Sequence, residues 1–129
     1  MTHNKKYTVV HVDDDSGMIE LTRLLLAPHN FEVIGATDGR KGLETMRRMD
    51  PNLVLLDLMM PDLDGWEVYH QMKDEPGLQD IPIIVITAKN ENVDRVLGLH
   101  IAKVAAYITK PFSARELLDC IDGIFATKG

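Results

Sequence analysis

Short apolar runs alternate with amphipathic stretches along the whole chain. The runs fall at residues 8–12, 31–36, 53–56, 83–86 and 105–108. Each is brief, rich in β-branched side chains and bounded by turn residues, which predicts buried strands of a parallel sheet. Between them, Met18, Leu21 and Leu25 recur at helical spacing and predict a first helix, ended at Pro28. Residues 39–49 predict a second, closed by Asp50-Pro51. Asp64 with Glu67 has the spacing of a capping box and opens a third; Val93, Val96 and Leu97 mark a fourth. Ser113 with Glu116 repeats the capping-box spacing, and Leu117, Ile121 and Ile124 then form the stripe of a fifth. Strand then helix, five times over, predicts an α/β fold: one doubly wound five-stranded parallel sheet in the order 2-1-3-4-5, with five helices. Such a sheet binds ligands in the crevice at the carboxyl ends of strands 1 and 3.

Composition narrows the possibilities without changing this picture. The 129 residues, 45% hydrophobic and 26% charged, suit one ordinary domain (1–129, core about 6–126). A net charge of -6 argues against direct nucleic-acid binding by this chain. Cys120 is the single cysteine, so no internal disulfide forms and a reducing compartment fits. Residues 1–6 are polar, with no signal-peptide core, and no apolar run reaches membrane-spanning length. The expectation is a cytoplasmic protein with no membrane partner.

The chemistry gathers at the predicted strand ends. The first strand runs into Asp13-Asp14-Asp15, and the third ends in Asp57. Asp15, beside Ser16, reads as a helix cap. Asp13, Asp14 and Asp57 would converge in the crevice, where like charges repel and a hard cation with oxygen ligands is the usual remedy. Mg2+ suits few carboxylates, several waters and a phosphate partner. Thr87 ends the fourth strand and Lys110-Pro111 follows the fifth, adding a hydroxyl and an ammonium to the same rim. Together these groups form a device for handling a phosphoryl group, with Asp57 as nucleophile. His11 reads as a packed core or edge histidine, and His3, His29, His70 and His100 lack metal-ligand spacing. The seven methionines read as core filler, and Cys120 as structural.

Four segments then carry a resemblance. Val12-Asp13-Asp14-Asp15, the run from Leu55-Leu56-Asp57 to Asp64-Gly65, Ile86-Thr87-Ala88 and Tyr107-Ile108-Thr109-Lys110-Pro111-Phe112 resemble the signatures of response-regulator receiver domains. The resemblance implies a flavodoxin-like fold and a phosphorylation-dependent switch in a two-component system, not a metabolic enzyme. It implies that Asp57 accepts the phosphoryl group and Asp14 binds Mg2+ directly. Asp13 would bind the ion through water, and the backbone carbonyl of Met59 would complete the set. Thr87 and Lys110 would contact the phosphoryl oxygens, and Tyr107 would be the aromatic switch. The implied partners are a sensor histidine kinase or a histidine phosphotransfer protein, plus a downstream effector reached through the 93–97 helix, the fifth strand and the last helix. Met59 and Lys89 stand where receivers tune hydrolysis; Met59 cannot hold a water strongly, so slow self-dephosphorylation is expected.

Two other readings compete. A haloacid-dehalogenase-like phosphohydrolase needs a second acid two residues after its nucleophile, and that position is Met59. A pseudo-receiver would lack the intact acidic pair, Asp57, Thr87 and Lys110. The sequence departs from the receiver pattern at Lys103-Val104-Ala105-Ala106, where a glycine commonly begins the turn. Residues 94–99 and 115–117 resemble receivers of winged-helix transcription factors, which dimerise through ion pairs. Arg95 and Glu116 keep one pair, whereas Ala106 and Cys120 lack the other, so a monomer is expected. The chain is either a stand-alone receiver or the receiver portion of a longer protein.

Overall fold

The computed structural model describes residues 6–58, 60, 65–88 and 104–128, with backbone alone at 87 and 126–128. Its strands are β1 (Tyr7–Val12), β2 (Phe31–Ala36), β3 (Leu53–Leu56), β4 (Ile83–Ala88) and β5 (Ala106–Lys110). They pair in parallel in the order β2-β1-β3-β4-β5, as the alternating pattern predicts. Four helices are described: α1 (Ser16–Leu26), α2 (Gly39–Met49), α3 (Gly65–Asp74) and α4 (Ala114–Lys128). The helix expected around Val93, Val96 and Leu97 lies outside the described residues, as does Asp64. None of the described helices is long and apolar enough to cross a membrane.

Alternation along each strand divides the core into two layers. Val10, Val12, Val54, Leu56, Ile83 and Val85 face Leu43 and Met46 of α2 and Val68 and Met72 of α3. Val9, Leu53, Leu55, Ile84 and Ile86 face Leu26 of α1 and Leu117 and Ile121 of α4. All four residues of β3 are fully buried, because this central strand is covered on both faces. Full burial of each such side chain stabilises the fold by about 1.5–3 kcal/mol. Tyr7, Phe31 and Phe125 close the opposite end of the sheet from the acidic residues, with ring centroids 5.3–5.9 Å apart.

Local chemistry sets the helix ends. Asp15 caps α1, its carboxylate accepting from the backbone N–H groups of Gly17 and Met18 at 2.9 and 3.3 Å. Ser113 and Glu116 make the reciprocal capping box at α4, each bond 3.0 Å. Asp50, in the left-handed region at φ 47°, ends α2. Two expectations are corrected. The buried stripe of α1 is Ile19, Thr22 and Leu26, not Met18, Leu21 and Leu25; Leu21 is 42% exposed. Thr22 takes the inward place because its hydroxyl has partners there, the Ile19 carbonyl and the His11 ring. Strands β4 and β5 also run further than their apolar cores, since Thr87 pairs with Thr109 and Ala88 with Lys110. Thr87, expected to end its strand, is followed by one more strand residue, and Lys110, expected after the fifth strand, is its last residue.

Gly65 starts α3 against the turn leaving β3. A Cβ added there would sit 2.2 Å from the Asp57 carbonyl oxygen and 2.5 Å from the Leu58 Cα, contacts with backbone that cannot swing aside. Gly65→Ala is therefore expected to destabilise the fold by about 1–3 kcal/mol through overpacking. Urea denaturation measures this, and an unchanged midpoint would contradict the contact.

Candidate functional site

The sheet delivers three carboxylates to one crevice. Register pairs Val12 with Leu56, so the next residues, Asp13 and Asp57, emerge side by side at the carboxyl ends of β1 and β3. The Asp57 N–H donates to the Val12 carbonyl at 2.9 Å, and the Asp13 N–H to the Ala36 carbonyl at 3.0 Å. Backbone bonds thus fix both acids before any side-chain contact forms. Carboxylate oxygens of Asp13, Asp14 and Asp57 all lie within 4.8 Å of one another. Asp13 and Asp57 are buried, while Asp14 is exposed and forms the open side.

Lys110 projects into this cluster from β5. Its Nζ donates to Asp13 Oδ2 at 2.9 Å and reaches Asp57 Oδ2 at 3.5 Å. Burial works to lower the Lys110 pKa, but the bond to Asp13 and the attraction of both carboxylates outweigh it and hold the ammonium above its ordinary value. Burial likewise works to raise the Asp13 pKa; contacts from His11, the Asp15 N–H and Lys110 outweigh it and hold the carboxyl below its ordinary value. Asp13 therefore contributes stability above the ordinary carboxylate range, lost as pH falls through its lowered folded pKa. The Lys110 contribution is present below the ordinary lysine range and is lost as pH rises through its raised folded value. At neutral pH the Asp13–Lys110 pair is ionised, and the one ammonium reaches two of the three clustered acids.

The donor set fits a hard divalent cation. Three clustered carboxylates supply oxygen ligands only, and the exposed Asp14 leaves room for water, as Mg2+ prefers. Of the residues expected at the site, the structure brings together Asp13, Asp14, Asp57 and Lys110. Met59 and the Thr87 side chain lie outside the described part. Thr87 is placed only by its backbone, near the carboxyl end of β4 and one position before the partner of Lys110. Tyr107 stands on β5, 42% exposed.

His11 is a buried histidine, as expected, but it also touches the site. It is fully buried, its Nδ1 2.8 Å from Thr22 Oγ1 and its Nε2 3.5 Å from Asp13 Oδ2. The signal was present in the sequence: residues two apart on a strand share a face, so His11 and Asp13 point the same way. Burial pushes the Cys120 thiol pKa up, in keeping with a structural cysteine.

Comparison with known proteins agrees with this geometry. The family model described as response regulator receiver domain matches residues 9–122. The alkaline phosphatase synthesis transcriptional regulatory protein PhoP of Bacillus subtilis is 40% identical over 114 residues, 88% of this chain and 45% of that protein. The chain thus spans about half the length of the curated relatives it matches. Among solved structures, the N-terminal domain of a response regulator receiver protein from Methanoculleus marisnigri is 32% identical, with a TM-score of 0.72 over 93% of this chain and 97% of that one. A putative response regulator from Chloroflexus aurantiacus is 28% identical, with a TM-score of 0.85 over 95% of this chain and 99% of that one. The crevice and these likenesses agree: the chain belongs to the response-regulator receiver family, the signalling domains of two-component systems.

Proposed function

We propose that this receiver accepts a phosphoryl group on Asp57 from a phosphohistidine of a sensor histidine kinase or a histidine phosphotransfer protein. A carboxylate oxygen of Asp57 attacks phosphorus, the new O–P bond forms, and the P–N bond to the donor imidazole breaks. Asp13, Asp14, Asp57 and the backbone carbonyl of Met59 would hold Mg2+, Asp14 directly and Asp13 through water. A Mg2+ ion held there would supply positive charge that offsets the negative charge of the acceptor and the phosphoryl group. Lys110 then turns from the acids to a phosphoryl oxygen, and Thr87 takes another. Tyr107 follows Thr87 and alters the surface seen by a downstream effector. The reading rests most on one observation: three carboxylates within 4.8 Å, with a lysine reaching two of them. The transcriptional regulators among the relatives make control of a DNA-binding effector the favoured output, exerted through a partner or a further domain.

Incubation with acetyl phosphate and Mg2+ is expected to add one phosphoryl group by intact mass, and Asp57→Asn to abolish it. Labelling of that mutant at the wild-type level would sink the assignment; steady release of phosphate without a stable adduct would favour a hydrolase instead.

Charge repulsion makes a second expectation. Without Mg2+, Asp14→Asn should raise the thermal midpoint, by roughly 2–6 °C, because one of three converging like charges is gone. With Mg2+, wild type gains stability by preferential binding to the folded state, whereas the mutant gains little. An Asp14→Asn protein that melts lower in chelator, yet keeps the full Mg2+ shift, would contradict the placement of Asp14.

The output face carries the third. Ala106 and Cys120 line an apolar groove of about 530 Å³ between β5 and α4, together with Ala105, Gly123 and Ile124. No ion pair forms at these positions, where an acid and an arginine would set dimer register. Arg95, which with Glu116 would form the other pair, lies outside the described residues. Exposed pairs are each worth only about 0–1 kcal/mol, yet they fix register and choice of partner. The beryllofluoride-bound domain is accordingly expected to stay mostly monomeric at micromolar concentration by light scattering. An activation-dependent dimer broken by Arg95→Glu would show the remaining pair to be sufficient.

A further inference from the structure

Asp14 is the exposed corner of the acidic crevice, and no side chain among the described residues holds its carboxylate. It nevertheless stays within 4.8 Å of the carboxylates of Asp13 and Asp57. Its place is therefore set by the backbone on either side of it. On the strand side, the Asp13 N–H donates to the Ala36 carbonyl at 3.0 Å. On the helix side, Asp15 bonds through its N–H, its carbonyl and its side chain. The N–H donates back to Asp13 Oδ1 at 2.9 Å, which closes a turn around Asp14. The carbonyl accepts from the N–H groups of Met18 and Ile19 at 3.1 and 3.2 Å. The carboxylate accepts from those of Gly17 and Met18 at 2.9 and 3.3 Å. One residue thus ties the first turn of α1 to the Asp13 oxygen that Lys110 leaves free, since Lys110 takes Oδ2.

The Asp15 side chain also decides where the helix begins. Ser16, next in sequence, is itself a good capping residue, and Gly17 gives the first turn little stiffness of its own. Without a capping oxygen at position 15, the helix can start one residue later, on Ser16. Asp15 would then leave its extended cap conformation, φ -95° and ψ 101°, and its N–H would turn away from Asp13. We infer that Asp15 is a positioning residue: by capping α1 it fixes the turn that presents Asp13 and Asp14 to Mg2+. This rests on the proposed metal-assisted phosphotransfer. Support of this kind behind a metal site commonly changes affinity 10- to 100-fold.

Calorimetric titration with MgCl2 of Asp15→Ala, Asp15→Asn and Asp15→Ser tests the inference. All three variants lose the same negative charge, but asparagine and serine keep a capping oxygen. Asp15→Ala is expected to bind Mg2+ about tenfold more weakly than either of the others. Amide hydrogen exchange of the metal-free protein reads the turn itself. The N–H of residue 15 should exchange slowly in wild type, Asp15→Asn and Asp15→Ser, and at least tenfold faster in Asp15→Ala. Equal weakening of Mg2+ binding in all three variants would leave charge as the only cause and overturn the inference. A merely structural cap predicts a lower thermal midpoint for Asp15→Ala with the Mg2+ affinity of Asp15→Asn, and that result would overturn it too. So would an N–H of residue 15 that exchanges equally fast in wild type and Asp15→Ala. A wild-type domain that binds no Mg2+ would instead overturn the metal reading itself, so the two failures are told apart.

Discussion

Like-charge repulsion among Asp13, Asp14 and Asp57 is the constraint around which the molecule is arranged. Left to themselves, three carboxylates within 4.8 Å would separate or take up protons. They stay together because Asp13 and Asp57 are tied by their backbones to adjacent strands, with Asp57 N–H bonded to Val12 and Asp13 N–H to Ala36. The strands are in turn immobilised by the residues behind the acids: Val9, Val10 and Val12 of β1 and all of β3 are fully buried. The hydrophobic core therefore supplies the free energy that holds the acids together. Lys110 offsets part of the repulsion, and a cation of suitable chemistry offsets more.

Much of this was legible in the sequence because two periodicities did the work. Runs of β-branched residues marked the strands, and parallel strands with intervening helices fix a topology almost by themselves. The acids were legible because they directly follow apolar runs, and Lys110 because it comes just after the last one. Capping chemistry was equally readable: Asp15 and the pair Ser113–Glu116 do locally what their spacing predicts.

The misreadings have physical causes. In α1, Met18, Leu21 and Leu25 suggested an apolar face one residue away from the true one. Hydrophobicity alone cannot rank a threonine above a leucine. Thr22 is buried because its hydroxyl finds partners in the Ile19 carbonyl and the His11 ring, which is tertiary information. The ends of β4 and β5 were set too early for a similar reason. Lys110, expected after the fifth strand, is polar, and ladder pairing with the neighbouring strand keeps it extended. His11 was placed correctly in the core, but its contact with Asp13 follows from strand alternation combined with the position of α1, and both are needed.

The central claim is that the crevice directs the phosphoryl group to one carboxylate of three, the one at the end of β3. Borohydride reduction of the acetyl phosphate-treated protein, followed by peptide mass mapping, locates the acyl phosphate by converting the modified side chain to an alcohol. The account predicts reduction at Asp57 and at neither Asp13 nor Asp14. Reduction at Asp13 or Asp14 with Asp57 untouched, or a label that resists hydroxylamine and lies on no carboxylate, would contradict it.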